Sequence, residues 1–559
     1  MAGEVQYFSR SLANPEALSN IDQSVQRRTA NYKPNIWKYE LLQSLASKYT
    51  EEKYERKAQK LKDELKETFA DARDTLSNLE LVDCIWKLGL ANHFQEEIAN
   101  LLNTISSGTN LSTFMENDLY ATALCFRILR QHGFEASEDM FLGFVNEAGK
   151  FKASIASNVE ALVELFEASN LGSEGENILN EAKLYSIRSL KPYFAASSCN
   201  QALSLPLHWT AEWYNIKKRI LAYEQEDKIN PKLVELAKLN FNIVQAAHQK
   251  DLKEISRWWM ELGITEKLSF SRDRMVESFL YAGGVAFEPE HGSLRKWLSK
   301  VIKLVLIIDD VYDIYGSLED LECFTNAVDR WMPEEVKNLP ECMKTCFWTL
   351  YNTTDAIAIE IQKEKGWSSA SPHLQKAWAD FCKSLLLEAK WDNQGYTPSL
   401  EEYLDNASVS SSGPLLSLHV IFGVENQTAK DVKEIVEENK DIIDYTSLII
   451  RLCNDQGTST AELERGDAPS SILCYMRQEN VSEEVAREHI RSIIWRTWRK
   501  INSRCIKTST FLQKTAKYIV NEARVAHFIY QHGDGFGVQD RENRKRVLSN
   551  LIEPLALVD

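Results

Sequence analysis

The chain has 559 residues, of which 44% are hydrophobic and 26% are charged, and its formal net charge at pH 7 is −16. This length predicts two or three domains, and the composition is that of a globular protein. The negative charge argues against nucleic acid or an anionic membrane surface as a partner. Gly (22) and Pro (13) are scarce, which favours long helices over a sheet protein with many turns.

Targeting signals and membrane segments are not evident in the sequence. The first 26 residues contain Glu4, Glu16 and Asp22 and lack both an apolar core and an Arg-rich character, so neither a signal peptide nor a transit peptide is predicted. The longest apolar run, 301–308, includes Lys303 and is far shorter than the roughly 18 residues of a membrane helix. The ten Cys form no CxxC pair, as in a reduced compartment. We expect a cytoplasmic protein, or a plastid protein if a targeting segment has been removed.

Helical periodicity dominates the chain. Apolar residues recur with a spacing of about 3.6 in segments such as 54–70 and 432–451, and strand-like alternation is hard to find. A Pro after polar residues in 227–231 predicts a helix start and a domain boundary. We therefore predict an all-α protein with an N-terminal helical domain at 1–230 and a C-terminal helical domain at 231–559.

The sharpest local signal is Asp309-Asp310-Val-Tyr-Asp313, which follows the apolar stretch 301–308. On a helix, Asp309 and Asp313 lie one turn apart on the same face, with Asp310 beside them. The apolar approach predicts a buried helix, where neighbouring carboxylates repel one another unless cations lie between them. Oxygen ligands of this kind suit Mg²⁺ that is shared with a substrate phosphate. Taken alone, the motif also fits an acidic helix end on the surface.

A second set of oxygen donors follows another apolar segment. Asn454, Thr458 and Glu462 are spaced four residues apart and form one ladder along a helix face. Asp455 is expected to point elsewhere. Because the preceding residues YTSLIIRL are strongly apolar, a solvated polar stripe explains this ladder poorly, and we predict a second metal-binding face.

Positive charge is predicted beside both sets of donors. Arg272 and Arg274 flank Asp273, and Arg451 lies one turn before Asn454. The guanidinium fork binds two oxygen atoms at once and keeps its charge, which suits a diphosphate. An RxR pair alone is usually a surface pair. Together with the two donor ladders, it favours a site for metal ions and a diphosphate.

These motifs, in their order and spacing, resemble those of the plant class I terpene synthase family, in particular the angiosperm monoterpene, isoprene, ocimene and farnesene synthases. The resemblance covers nearly the whole chain and rests on these segments: Arg27-Arg28 followed after eight residues by Trp37, LYATALCFRILRQHGF at 119–134, LFEASNLGSEGENIL at 165–179, RDR at 272–274, DDVYD at 309–313, the Asn454–Glu462 set and HFIYQHGDGFG at 527–537. It implies an N-terminal α-barrel without catalysis of its own and a C-terminal class I terpenoid synthase helical bundle that holds the active site.

The resemblance also implies a role for each motif. Three Mg²⁺ ions are expected, with Mn²⁺ as the alternative. Two ions would be bound by Asp309 and Asp313, supported by Asp310, and the third by Asn454, Thr458 and Glu462. The residues expected to hold the diphosphate after ionisation are Arg272, Arg274 and Arg451. Those expected to close the site are the tandem Arg27 and Arg28 and, on a C-terminal loop, Tyr530 and Asp534.

The expected pocket favours an acyclic product. An allylic cation must be kept from water, so aromatic and apolar walls are expected, with Tyr281 where cyclising family members often have Trp. Isoprene-forming members carry Phe where this chain has Ile302 and Ile450, so a deeper pocket is implied here. A helix break at 410–413 would free carbonyl groups toward the cation. We predict a carbon–oxygen lyase that forms an α-farnesene-type sesquiterpene from farnesyl diphosphate, with geranyl diphosphate and an ocimene- or linalool-type product as the alternative.

Two rivals come from other classes. A chain-elongating prenyltransferase also uses paired acidic motifs, but it normally has a second DDxxD where this chain has NDQGTSTAE. A non-catalytic helical scaffold fits the composition but gives no reason for oxygen ligands to follow two apolar runs. The expected partner is a prenyl diphosphate, with no nucleic acid and no membrane span, and the chain is expected to be a monomer.

Overall fold

The architecture is all-α. The computed structural model describes residues 32–70, 74–107, 118–194, 205–226, 230–427, 430–465, 470–507 and 510–557. Within these ranges the backbone forms helices and no β-strand, and the strand-type pairings there are isolated bridges between Val145 and Phe151 and between Gln531 and Gly533. The prediction of an all-α protein is therefore confirmed.

The N-terminal part of the described chain forms eight α-helices: α1 (Tyr39–Ser44), α2 (Glu52–Ala70), α3 (Thr75–Lys87), α4 (Gln95–Ser107), α5 (Leu119–Gln131), α6 (Val159–Ser169), α7 (Asn177–Phe194) and α8 (Trp213–Tyr223). Short 3-10 turns connect several of these helices. Helices α5, α6 and α7 share an apolar cluster in which Phe126, Phe141 and Leu165 are fully buried. This part of the chain has a core of its own.

The C-terminal part of the described chain forms longer helices: α9 (Pro231–Leu262), α10 (Met275–Val285), α11 (Gly292–Asp310), α12 (Leu318–Arg330), α13 (Glu341–Lys365), α14 (Ala370–Gln394), α15 (Leu400–Ser410), α16 (Gly413–Val424), α17 (Val432–Arg465), α18 (Ser471–Glu479), α19 (Glu483–Lys507), α20 (Thr510–Tyr530) and α21 (Arg541–Val547). Helix α11 buries residues at helical spacing, including Leu294, Val301 and Ile308. Its apolar face lies in the bundle core and carries Asp309 and Asp310 at its C-terminal end.

Helix α9 joins the two parts of the molecule. It begins with Pro231 behind an Asn230 cap, as predicted from the Pro, although the position of the domain boundary stays a prediction. On one side α9 packs against α1 and α2. On another side its amides hold the C-terminal segment, because Asn242 donates to the Leu555 carbonyl at 2.8 Å and Gln249 donates to the Leu551 carbonyl at 3.0 Å.

The predicted break at 410–413 separates α15 from α16. Ser412 adopts a left-handed conformation with φ of 64°, which is uncommon for a residue other than Gly. A Cβ on Gly413 would lie 2.2 Å from Ser447 Oγ, so the helix packs here at a distance that only Gly allows. The break is thus fixed by local backbone geometry and by close packing against α17.

One apolar stretch, Leu400–Val424, is long and apolar enough to cross a membrane by composition, and the sequence analysis did not single it out. In the fold it is divided between α15 and α16, and 78% of its apolar window is buried inside the protein. Among the described residues, no other helix meets the same criteria of length and hydropathy. We interpret the stretch as core helices of the bundle.

Replacing Gly284 by Ala should destabilise the fold at the contact between α8 and α10. A Cβ at Gly284 would lie 2.1 Å from the Tyr214 hydroxyl. The Tyr214 ring is held by a bond to the Leu280 carbonyl and by stacking on Phe528. We expect the free energy of unfolding, measured by denaturant titration, to fall by about 1–3 kcal/mol, the typical cost of overpacking.

The neighbouring Gly283 provides the control for this variant. A Cβ there would meet His248 at 3.7 Å, an ordinary contact distance. Gly283→Ala should leave the stability unchanged or raise it by up to about 1 kcal/mol, because Ala favours the helix. Equal stability of the two variants would contradict the steric explanation.

Candidate active site

A cavity of about 1150 Å³, including space open to the solvent, lies inside the C-terminal bundle. It brings together residues that are far apart in the sequence. The predicted site residues that line it are Arg272, Tyr281, Asp309, Asp313, Arg451, Asn454, Thr458, Tyr530 and Asp534. The two donor ladders and the predicted closing loop therefore face one space.

The first acidic edge of the cavity lies at the end of α11. Asp309 pairs with the Arg272 guanidinium, whose Nε also lies 3.1 Å from Asp310 Oδ1. Asp310 is fully buried, and it accepts hydrogen bonds from the Ser271 hydroxyl at 2.8 Å and the Arg272 amide at 2.9 Å. Burial raises the pKa of Asp310, and Arg272 opposes this rise. Asp310 thus anchors the Arg272 segment, while its predicted support of metal binding stays a prediction.

Asp313 lies on a wider turn than the sequence predicted. The α-helix ends at Asp310, and Val311–Tyr315 form one turn of π-helix. Despite the wider turn, Asp313 still lines the cavity together with Asp309. Single π turns in α-helices are frequent at functional sites.

The second edge is helix α17, which contains the predicted ladder. Asn454 and Thr458 both line the cavity, and the Thr458 hydroxyl donates to the Asn454 carbonyl at 2.9 Å. Arg451 donates to the Asn454 side-chain oxygen at 3.1 Å. The backbone of Glu462 belongs to the same helix, but its side chain lies outside the described residues. The predicted helix register of this ladder is therefore confirmed for its first two members.

Asp455 points away from the cavity, as predicted, and connects three helices. Both of its carboxylate oxygens accept from the Tyr403 hydroxyl of α15 at 3.1 Å, and one accepts from the Ser471 amide of α18 at 2.9 Å. Burial raises the pKa of Asp455. Since Asp455 follows Asn454 directly, these bonds fix the orientation of the second donor ladder. No local motif singled out Tyr403, which itself lines the cavity.

Glu388 is a cavity carboxylate that the sequence analysis missed. It lies on α14, lines the cavity and accepts hydrogen bonds from the Ser410 hydroxyl and the Asn406 amide. Burial raises its pKa, and the charge of Arg451 opposes this rise. Arg451 donates to the same Ser410 hydroxyl at 3.1 Å. A Glu inside an otherwise ordinary amphipathic helix carries no signal that would have identified it from sequence.

Tyr530 and Asp534 come from the end of α20 and the loop after it, and both line the cavity. Asp534 accepts from the amides of Phe536 and Gly537 at 3.0 and 2.7 Å, which holds the loop in a tight turn. Burial raises the pKa of the Tyr530 phenol. The Asp534 side chain thus stabilises the conformation of the loop at the cavity.

Arg274 does not line the cavity, unlike Arg272. It is fully buried and donates to the carbonyls of Phe536 at 2.8 Å and Lys33 at 3.1 Å. It therefore fastens the closing loop and the start of the described chain to α10. Arg27 and Arg28 lie outside the described residues. Tyr32, a few positions later, lines the cavity, and its ring lies 5.4 Å from the Arg272 guanidinium.

The inner part of the cavity is apolar. Its lining includes Ile302 and Ile450, the positions that the sequence analysis connected with pocket depth, and Tyr281. The Tyr281 ring is buried, and its hydroxyl donates to the Glu522 carbonyl at 3.2 Å. The remaining apolar lining comes from Val305, Leu306, Ile314, Leu416 and Phe536. The cavity therefore has a charged mouth and an apolar interior.

The donor set at the mouth fits hard divalent cations. Carboxylate, amide and hydroxyl oxygens are the ligands that such ions prefer. In the part of the chain that the structure describes, no three His, Cys, Asp or Glu side chains could hold a metal ion by themselves. Mg²⁺ usually completes its coordination with waters and with oxygen atoms of a bound phosphate, beside one or two protein carboxylates. The pairing of Arg272 with Asp309 and Asp310 shows that these carboxylates need a positive partner.

An all-α bundle with this charged mouth and apolar interior defines a metal-dependent enzyme for the diphosphates of apolar compounds. The family profile described as "Terpene synthase family, metal binding domain" matches residues 260–500, and the profile "Terpene synthase, N-terminal domain" matches residues 36–208. The chain belongs to the terpene synthase family, which confirms the resemblance. It is a lyase that acts on prenyl diphosphates and uses a divalent metal cofactor.

Known relatives cover nearly the whole chain. The chain is similar to the alpha-farnesene synthase of Ricinus communis, at 50% identity over 95% of this chain and 96% of that protein. It is also similar to the (E,E)-alpha-farnesene synthase of Malus domestica, at 50% identity over 97% of this chain and 96% of that protein. The isoprene synthase of grey poplar (Populus x canescens), solved with three Mg²⁺ ions and dimethylallyl-S-thiolodiphosphate, has a TM-score of 0.85 and 40% identity, covering 93% of this chain and 99% of that chain.

Removing the Tyr403 hydroxyl should weaken the connection between α15, α17 and α18. In Tyr403→Phe the buried carboxylate of Asp455 loses a hydrogen-bond donor, which typically costs about 1–3 kcal/mol. We expect the free energy of unfolding to fall by this amount in a denaturant titration. Tyr396→Phe is the matched control, because the Tyr396 hydroxyl donates to the exposed Glu402. That variant should change stability by less than about 0.5 kcal/mol, and an equal loss in both variants would contradict the role of Asp455.

Proposed function

We propose that the chain is an α-farnesene-type sesquiterpene synthase that ionises farnesyl diphosphate with the help of three Mg²⁺ ions. The similarity to two α-farnesene synthases at 50% identity over nearly the whole chain carries this proposal. Ile302 and Ile450 in the apolar cavity support it, because neither side chain is an aromatic ring that would shorten the pocket. The proposal also rests on the agreement between the cavity lining and the residues expected from the sequence.

The charged mouth would perform the ionisation. Asp309 and Asp313 would hold two ions, and Asn454, Thr458 and Glu462 would hold the third. When bound, the ions stabilise the negative charge that develops on the departing diphosphate. Arg272 and Arg451 face the same space and would bind the released diphosphate through charge-assisted hydrogen bonds.

Arg272 would have two functions in this reaction. In the structure it neutralises Asp309 and Asp310. With cations on the Asp309 side, the guanidinium would be available to the diphosphate, while Asp310 would still accept the hydrogen bond from the Arg272 backbone amide. Arg274 would act indirectly, because its bonds to the carbonyls of Phe536 and Lys33 keep the closing segments in place.

The apolar interior would control the cation left behind. Tyr281, Tyr530 and Phe536 line the cavity, and aromatic faces stabilise a positive charge without reacting with it. Closure by the loop that contains Asp534 would exclude water, so that the cation loses a proton and is not captured as an alcohol. The lining contains Tyr281 where a Trp would narrow the cavity and favour cyclisation.

Substitution of the proposed metal ligands tests the mechanism. Asp309→Ala and Asn454→Ala should each lower kcat by at least about 100-fold, since each removes stabilisation of the transition state, while circular dichroism and thermal unfolding stay close to those of the unchanged protein. EDTA should abolish the activity of the unchanged protein, and Mg²⁺ should restore it. Full activity of either variant would contradict the metal assignment.

Product analysis tests the substrate. The purified protein would receive dimethylallyl, geranyl and farnesyl diphosphates separately with Mg²⁺, and products would be identified by gas chromatography. We expect the highest kcat/KM with farnesyl diphosphate and an acyclic hydrocarbon, because Ile302 and Ile450 leave the pocket deeper than aromatic rings at these two positions would. A preference for geranyl diphosphate would favour the ocimene- or linalool-type alternative. Consumption of added isopentenyl diphosphate would indicate a prenyltransferase instead.

A further inference from the structure

A second groove lies between the two parts of the molecule. It is lined by residues from 174–180 at the start of α7, by Leu448 of α17 and by residues from 493–500 of α19. Its volume is about 910 Å³, including space open to the solvent. We call it the interdomain groove.

The interdomain groove concentrates positive charge in an acidic protein. Arg496, Arg499 and Lys500 line it, and Glu174 is the single carboxylate among its described lining residues. Behind the groove, the Lys183 ammonium lies 4.8 Å from the centre of the Trp495 ring, and the Arg499 guanidinium lies 5.1 Å from the same centre. Lys183 and Arg499 thus contact the same indole ring.

These basic groups are influenced by carboxylates only at longer range, by Glu176, Glu138 and Glu174 at Arg499 and by Glu488 at Lys183. Within the described part of the chain, no ion pair joins Lys183, Arg496, Arg499 or Lys500 to an Asp or Glu side chain. Burial and the neighbouring charge of Arg499 lower the pKa of Lys183 to about 7. Burial, the larger cause, disfavours charge of either sign at Lys183, so the attraction for an anion comes from Arg496, Arg499 and Lys500 at the groove.

Two buried donors in the groove have no acceptor. Arg499 is only 5% exposed, and its Nη2 donates to the carbonyls of Ser173 and Glu176. Its Nη1 is buried and, within the described residues, has no hydrogen-bond partner, and the same holds for Trp495 Nε1. Buried donors are nearly always paired in folded proteins, so an acceptor that reached these two N–H groups would satisfy them.

We propose that the interdomain groove is a binding site for a diphosphate, either inorganic diphosphate or the diphosphate group of a prenyl compound. Arg499 Nη1 and Trp495 Nε1 would donate to one phosphoryl group. Arg496 and Lys500 are four residues apart on one helix face and would neutralise the other. Leu448 and Ile493 line the same groove and would contact an apolar tail if one is present.

Binding at this position would stabilise the contact between the two domains. Helix α19 already holds the N-terminal part through Asn502, which donates to the carbonyls of Asn170 and Gly172 at 3.0 and 2.9 Å. A diphosphate in the groove adds a ligand that touches both 174–180 and α19. A product or substrate of the reaction would thereby increase the stability of the folded state from a site outside the catalytic cavity.

Calorimetric titration with inorganic diphosphate tests the site. The measurement uses the full chain in EDTA, with Arg272→Gln and Arg451→Gln combined, so that metal-dependent and arginine-dependent binding in the catalytic cavity is removed. We expect saturable binding of one diphosphate per chain in this background. Adding Arg496→Gln and Lys500→Gln should weaken it by about tenfold or more, because two charge-assisted contacts are lost.

The matched control is Arg491→Gln on the same helix, where the exposed Arg491 pairs with Glu488 at 2.8 Å. It should leave the affinity unchanged. Absence of saturable binding in the background variant, or affinity that is insensitive to Arg496→Gln with Lys500→Gln, would overturn the proposal. Repeating the titration with farnesyl S-thiolodiphosphate distinguishes the sources: equal affinity identifies inorganic diphosphate as the ligand, and tighter binding identifies a prenyl diphosphate.

Discussion

Neutralisation of negative charge at the mouth of the cavity is the constraint on which the rest of the site depends. The carboxylates that line the cavity are Asp309, Asp313, Glu388 and Asp534, and the arginines that face them are Arg272 and Arg451. Carboxylates gathered in a buried space raise one another's energy unless cations lie between them. Metal ions, together with these arginines, would reverse the local field for an anionic substrate in a chain with a net charge of −16.

The same constraint explains how the two helix faces are supported. Each face places one oxygen donor in the cavity lining, Asp309 or Asn454, and fixes the neighbouring carboxylate, Asp310 or Asp455, by hydrogen bonds within the protein. Asp310 holds the Arg272 segment, and Asp455 holds α15 and α18. Because hydrogen bonds fix the carboxylates of Asp310 and Asp455, the neighbouring oxygen donors in the cavity lining have defined positions before any ligand binds. Preorganisation of this kind reduces the cost of ordering the site during catalysis.

The residues that share one helix face could be predicted from the sequence alone. The residues that reach the cavity from other helices could not. Asn454 and Thr458 could be placed because a spacing of four residues maps directly onto one helix face. Tyr403 and Glu388 could not, since each reaches the cavity through packing between separate helices and has no local pattern. The orientation of the Arg274 side chain could not be predicted either, because its hydrogen-bond partner Phe536 is 262 residues away in the sequence. The π turn at Asp313 likewise has no distinct signature in the residues around it.

The connection between α9 and the C-terminal segment has a consequence for exchanging parts between related chains. Asn242 and Leu555 form reciprocal hydrogen bonds, and Gln245 and Gln249 donate to the carbonyls of Asn550 and Leu551. Residues 549–555 and α9 are therefore one structural unit, although about 300 positions separate them in the chain. A chimera with a junction inside the catalytic part should therefore take α9 and residues 549–555 from the same parent. Otherwise the buried side-chain amides of α9 would face the backbone of a different protein, and their hydrogen bonds could be lost.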